Sequence, residues 1–475
     1  MHSPVAHPAR HQPSLRLLAG QALSRAAGAP LVGGNRVELL IDGQAHFEAW
    51  AGLIESARQY VLLENYLIAD DAVGRRFRDL LIARARAGVQ VAVIHDWFGT
   101  LGNAHRAFFG PLRAAGVAVR AFNPPRVESP LGWIGRDHRK LLVVDGRIGS
   151  ISGVCLAGKW LGDPAQGIAP WRDSGLLIEG PAVADIESAF RDSWAVLGPR
   201  LSFLATPTPP SRGEVALRVI ATLPAHGAMY QLDSLIAAMA TRSLWISDAY
   251  FVGIPTYVRG LAAAVADGVD VRLLVPGNNN LPAVAALSRA GYRPLLEAGI
   301  RVFEWNGSMM HAKTAVADGR WARVGSSNLN LSSWLANCEI DAAVEDVGFA
   351  AQMEAQYLRD LDHSTELLLR GRRPEPRGEV ARNARGGSSS RAAASALRLA
   401  NTVGAAISNR RVLANSERGV LSIAGGVLIA LAALGFWLPE LLAWPAAAFA
   451  AWLGLSLLWR RFRPPRRPSS QPHQD

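Results

Sequence analysis

The chain is nearly without lysine: it has 3, against 47 arginines (50 basic residues less 3). It has only 2 cysteines in 475 residues, which excludes a disulfide-stapled secreted scaffold. Cys155 and Cys338 are read as small buried hydrophobes. No C-x-x-C or H-E-x-x-H pattern occurs, so the site is expected to work without metal and without cofactor. No apolar run follows the scattered His and Pro of residues 1–14, so no signal peptide is read there. Net charge is also missing where the bulk of the chain lies. Residues 371–475 hold 15 arginines and 5 acids, a net of +10, and the whole chain is +11, which leaves residues 1–370 at +1. A nucleic-acid partner, which would want a basic channel, is therefore not expected.

Against that background the three lysines stand out: Lys140, Lys159 and Lys313. Two of them repeat a pattern. Residues 138–153 read HRKLLVVDGRIGSISG, and residues 311–326 read HAKTAVADGRWARVGS. Both fit H-x-K-x4-D-x6-[GS]-[GS]. His138, Lys140 and Asp145 thus match His311, Lys313 and Asp318. Each segment alternates apolar residues and turns at Asp-Gly, as a β-strand entering a hairpin does. On a strand, residues i and i+2 face the same way, so each histidine projects with its lysine. An imidazole beside an ammonium suits an anionic phosphoryl group: one attacks or moves a proton, the other holds oxygen charge. A compact ammonium is asked for here, in a chain that elsewhere writes arginine. The small residues after each turn (Ser152 and Gly153; Gly325, Ser326 and Ser327) allow close approach and offer donors.

The two motifs resemble the HKD signature of the phospholipase D superfamily. The flanking text, notably RDHRKLLVVDG, MMHAKTAVADG and GSSNLN, resembles its bacterial cardiolipin synthase branch. ENYLIADDAVGRRF, AYFVGIP and LVPGNNN sit where that branch has similar segments. The resemblance covers roughly residues 30–370. It implies an α/β fold of two pseudo-symmetric halves, each a mixed β-sheet flanked by helices, with one site between them. It implies that His138 is the nucleophile and His311 the acid/base, with Lys140, Lys313 and Asn328 on the phosphate oxygens. Ser152 and Ser326 are further phosphate-binding candidates. Asp173 (in WRDSG) and Glu339 (in NCEID) stand where the family keeps an acid, and are candidates to orient the histidines. Asp145 and Asp318 complete the motif's catalytic set. Their place at a D-G turn, five residues beyond lysine, suits stabilising the turn or the contact between halves better than touching substrate. The first motif departs from the pattern. Cys155 stands at the place equivalent to Asn328, and Ser152 replaces a glycine; in the second half, Asn330 stands where many relatives carry Asp.

The duplication is visible without the resemblance. YVLLENY, with Glu64 and Tyr66, matches LWISDAY, with Asp248 and Tyr250, and GVQVAVIHD matches GVDVRLLVPG. The predicted organisation is an N-terminal helical or extended segment (1–30), a first half (31–198), a linker (199–213) and a second half (214–370). The N-terminal helix is expected to pack on the first half. A disordered basic linker (371–394) and an amphipathic helix (395–413) follow. Two uncharged 19-residue segments, 420–438 and 441–459, are each about 28 Å long as helices. With arginines on both flanks they read as a transmembrane hairpin over 420–459, followed by a basic cytoplasmic tail (460–475). The catalytic part is placed at the cytoplasmic face of a bacterial inner membrane.

That location points to phospholipid substrates, phosphatidylglycerol first among them. The leading expectation is a phosphatidyltransferase that makes cardiolipin or a related lipid through a phosphohistidine. The alternatives are a phospholipase D-type hydrolase or nuclease, and a non-catalytic lipid-binding protein. The last would lose a His or Lys from a motif, and both pairs are intact. Transfer and hydrolysis differ by whether water reaches the intermediate.

Overall fold

A computed structural model describes residues 15–125, 135–201, 207–224 and 227–369, and five further positions: 444, 447, 451, 452 and 455. The chain divides into two units. One holds Met1–Asn123 and Gly135–Arg373, and the other Pro124–Ile134 and Pro374–Asp475. In the second unit the five further positions are helical, with Trp444 and Leu455 exposed. The predicted linker, amphipathic helix and basic tail lie outside the described residues, as does the rest of the hairpin. Among the described residues, no helix is long and apolar enough to cross a membrane.

The first unit is built on two seven-strand repeats plus one edge strand. The first repeat has β1 (Val32–Ile41), β2 (Tyr60–Asn65), β3 (Gln90–Asp96), β4 (Ala118–Phe122), β5 (Lys140–Val144), β6 (Ile148–Ser152) and β7 (Ser174–Glu179). The second has β8 (Val215–Thr222), β9 (Ser243–Ser247), β10 (Asp270–Pro276), β11 (Arg301–Trp305), β12 (Thr314–Ala317), β13 (Trp321–Gly325) and β14 (Glu339–Glu345), and β15 (Ser364–Leu367) closes the edge. Read from the centre outward, the order is β1-β7-β6-β5-β2-β3-β4 in one direction and β8-β14-β13-β12-β9-β10-β11-β15 in the other. The halves do not carry separate sheets, as the sequence had suggested. β1 and β8 pair antiparallel, with Val32 opposite Leu217, and make one sheet of 15 strands.

Chain composition explains the layering. β2 (YVLLEN) and β5 (KLLVV) are buried along their whole length. Such runs are continuous rather than alternating because helices cover both faces. On one face of the first half, Phe47, Trp50 and Ile54 of helix Asp42–Ser56 pack with Phe77 and Leu81 of helix Ala72–Arg86. A shared core crosses the midline on the other face. There Phe190 and Trp194 of helix Val183–Val196 join Phe349 and Met353 of helix Val347–Asp362. Asp71 and Asp346 start two of these helices by accepting the N–H of Gly74 and Phe349 at 3.0 and 2.7 Å.

The N-terminal helix, Leu15–Ala27, corrects an expectation. It packs on the second half: Leu23 and Ala27 join Met229, Leu232 and Ile236. The cause is polar as well as apolar. Buried Arg218 of β8 donates to the Gly20 carbonyl at 3.2 Å and to Ser24 Oγ at 3.3 Å. A buried guanidinium needs such acceptors, and this helix supplies them.

Candidate active site

The two strands expected to begin at the histidines begin later, at Lys140 and Thr314. The reason lies across the midline. His138 N–H donates to the Cys338 carbonyl at 2.9 Å, and Cys338 N–H donates to the Arg136 carbonyl at 2.8 Å. In the mirror position His311 N–H donates to the Arg172 carbonyl at 2.7 Å, and Arg172 N–H to the Met309 carbonyl at 2.9 Å. Each histidine is therefore bonded by its backbone to the segment that carries the other half's acid. Arg172 anchors this join with a buried two-point ion pair to Asp360, at 2.8 and 2.9 Å.

The side chains follow the same exchange. His138 Nδ1 donates to Glu339 Oε2 at 2.9 Å. His311 Nδ1 donates to Asp173 Oδ2 at 2.7 Å. With Nδ1 turned to a carboxylate, each ring presents Nε2 to the site. Glu339 is itself held by Ser326 Oγ at 2.6 Å and by Asn337 at 3.2 Å. Asp173 accepts Trp160 Nε1 at 2.8 Å and the Ser174 N–H at 2.9 Å. Lys140 Nζ bonds the carbonyl of His138, and Lys313 Nζ bonds that of His311 and lies 3.0 Å from its Nδ1. Each histidine also feels the charge of the other half's lysine, so the four groups form one site.

Burial sets the proton balance. It lowers His138 below the usual histidine range, and Lys140 adds to the effect. Burial lowers His311 to about 3, helped by Lys313. Lys313 falls from 10.5 to about 8, through burial first and Lys140 after it, with Asp173 opposing. Burial works to raise Asp173 and Glu339, yet their histidines and lysines hold both below the usual carboxylate range. Burial thus favours neutral imidazoles, and the two acids beside them stay carboxylates. An anionic phosphodiester between the lysines would draw the imidazoles back towards protonation.

The remaining predicted residues divide. Asn328 is buried, with its N–H on Ser333 Oγ at 3.2 Å and its side-chain Oδ1 unbonded. Of its side-chain amide, the Nδ2 donor and not the Oδ1 acceptor could meet a phosphate oxygen. Ser326 is corrected from phosphate ligand to carboxylate support, because its hydroxyl donates to Glu339 and accepts the Ile340 N–H at 2.9 Å. Ser152 is fully buried, and its Oγ accepts the Val154 N–H at 2.9 Å.

Asp145 and Asp318 sit in the structure as turn staples, the role their Asp-Gly position suited. Asp145 accepts the N–H groups of Arg58, Gln59 and Tyr60 at 2.9, 2.7 and 2.9 Å. Asp318 does the same for Thr241, Arg242 and Ser243 at 2.9, 2.7 and 3.0 Å. Both have φ of +53°, the left-handed conformation that Asp tolerates and most residues do not.

Aromatic neighbours went unassigned in the sequence. Tyr66 meets the His138 ring edge-on at 5.0 Å, and Tyr250 meets that of His311 at 5.9 Å. Their signal was present, since both tyrosines mark the internal repeat. Trp160 and Trp171 pack on His311 at 5.3 and 5.5 Å. Trp171 stands two residues before Asp173, and no pattern in one sequence singles out either indole.

Comparison with known proteins matches this arrangement. Residues 235–361 fit the family described as "Cardiolipin synthase, PLD-like domain". Cardiolipin synthase A of Pseudomonas aeruginosa is 34% identical over 364 residues, covering 74% of this chain and 72% of that protein. The enzyme of the same name from Pseudomonas putida is 34% identical over 359 residues, covering 73% of each.

This chain belongs to the cardiolipin synthase family.

Among solved structures, phosphatidylserine synthase of Haemophilus influenzae superposes with a TM-score of 0.59 at 15% identity, over 74% of this chain and 92% of that one. At that identity the likeness speaks for the phospholipase D-like fold alone. The family match spans the second half, which carries His311, Lys313 and Glu339. The first half repeats its strand order with the roles exchanged across the midline.

Proposed function

We propose that this chain is a phosphatidyltransferase that makes cardiolipin, or a close relative, by moving a phosphatidyl group from phosphatidylglycerol to a second lipid. One observation carries the reading. Two histidines, each oriented by the other half's carboxylate and flanked by a lysine, form a single buried site.

The steps take His138 as nucleophile and His311 as acid/base, as the resemblance implies. The donor phosphodiester lies between Lys140 and Lys313, with Asn328 on a third oxygen. His138 Nε2 attacks phosphorus, and the bond to the glycerol leaving group breaks. His311, protonated once the anion is bound, gives that proton to the leaving oxygen. The second lipid's hydroxyl then returns a proton to His311 and attacks the phosphohistidine, which frees His138. Glu339 and Asp173 hold each ring in the tautomer that leaves Nε2 outward and stabilise the positive ring when it forms. The near-neutral charge of residues 1–370 argues for a lipid phosphodiester over a nucleic acid. The apolar, arginine-flanked segments at 420–459 support a place at the inner membrane with the site on the cytoplasmic side.

The test is a product assay. The full chain in mixed micelles with labelled phosphatidylglycerol should yield cardiolipin and free glycerol. Phosphatidic acid as the sole product would replace this reading with the hydrolase.

A further inference from the structure

Two of the three lysines flank the catalytic histidines; the third, Lys159, has no part in the steps above. It lies in a short 3-10 turn, Gly158–Trp160, beyond β6. Its half-buried ammonium sits 4.5 Å from the centre of the Trp171 ring and 5.3 Å from that of Trp160. Those same indoles pack on the His311 ring at 5.5 and 5.3 Å. Lys159 and His311 therefore share the same two indoles as neighbours. Trp160 is fixed there by its bond to Asp173.

Among the described residues no carboxylate lies within ion-pair distance of the Lys159 ammonium. Asp71 acts on it from further off, and that carboxylate is committed to the Gly158 and Gly74 N–H groups at 2.6 and 3.0 Å. Cys155 lies within Coulombic reach of Lys140 and Lys159, which ties the third lysine to the first. A partly desolvated cation without a counter-ion is costly unless a ligand supplies one. The second half has no equivalent. The offset of 173 residues that relates His138 to His311 places Ser332 opposite Lys159, so the extra cation is on one side only.

We propose that Lys159 binds the phosphate of the acceptor lipid and so selects an anionic acceptor. This rests on the cardiolipin-forming reading. The product has two phosphates joined through one glycerol. The acceptor hydroxyl must reach His311 to lose its proton, so the acceptor's own phosphate lies one glycerol beyond that ring. Lys159, which shares both indoles with His311, is the cation next to that ring beyond Lys140 and Lys313, which hold the reacting phosphate. Water and small neutral alcohols bring no negative charge to pair with this ammonium.

The test is a competition between acceptors with the full chain. Labelled phosphatidylglycerol is the donor, and excess glycerophosphoglycerol, the deacylated head group, competes with ethanol. The readout is the ratio of phosphatidyl-glycerophosphoglycerol to phosphatidylethanol. Lys159→Met should lower that ratio at least about tenfold, as loss of a charge-assisted phosphate contact does. Lys159→Arg should restore most of it. An unchanged ratio overturns the proposal, and so does an equal fall in both products. If Lys159→Met fails to fold, Lys159→Gln gives the same decision. A wild-type chain that forms neither cardiolipin nor the soluble adduct overturns the synthase reading, and this proposal with it.

Discussion

At the residue scale, the histidines behave as two crossed dyads. His138 depends on Glu339 and His311 on Asp173. Replacing either histidine by Ala should abolish turnover in the micelle assay. Glu339→Gln and Asp173→Asn keep the shape but lose the charge that steadies a protonated ring. Each should lower kcat by about 10- to 100-fold or more, with KM changed less. Lys313, lowered to about 8, sets an alkaline limit. Below that pH it is cationic and holds phosphate; above it the charge is lost. The kcat/KM profile, which reports the free enzyme, should therefore fall as pH rises through about 8. The kcat profile should fall at higher pH, because bound phosphate favours the charged form. A flat kcat/KM to pH 10 would remove Lys313 from phosphate binding. Spacing alone identified the His-x-Lys pairs, since i and i+2 on a strand share a face. It did not pair acid with histidine, because 201 residues separate His138 from Glu339. Only the backbone join at Cys338 and Arg136 brings them together.

At the element scale, the Asp-Gly hairpins fix where each motif points. Asp145 ties the β5–β6 turn to the segment leading into β2, and Asp318 ties the β12–β13 turn to the segment leading into β9. Asp145→Ala removes three N–H acceptors and puts Ala at φ +53°. It should cost about 2–4 kcal/mol of stability, read as a lower melting temperature. Asp145→Asn tolerates that φ and should recover part of the loss, and an unchanged melting point for Asp145→Ala would refute the staple. Close packing adds a second constraint. A Cβ at Gly153 would strike the Asp173 carboxylate, so Gly153→Ala should impair activity through His311. The turn and the need for small residues were legible, because Asp-Gly and Gly/Ser pairs have local causes. The Ser326 hydroxyl was misread as a phosphate ligand, since only the fold shows it already spent on Glu339.

At the scale of the whole molecule, the repeat was legible from YVLLENY and LWISDAY, and from the two GV strands. The single sheet was not. Pairing of β1 with β8 joins segments about 180 residues apart and leaves no periodic mark. Nor did the sequence reveal that the N-terminal helix serves Arg218 of the second half. The predicted membrane attachment is separable from the chemistry. A chain lacking 414–475 should leave the membrane fraction, and continued tight sedimentation would show another anchor.

The exchange of carboxylates between halves has a consequence for heredity. A lesion at position 339 strips the support from a histidine encoded 201 residues earlier, and one at 173 does so for a histidine encoded 138 residues later. Neither half is an allele-like module that can be traded for a distant cousin's, because each carries the key to its partner's histidine. Cut in the 199–213 linker, the two pieces should be inert apart and regain activity when mixed. The unit on which selection acts is the pair.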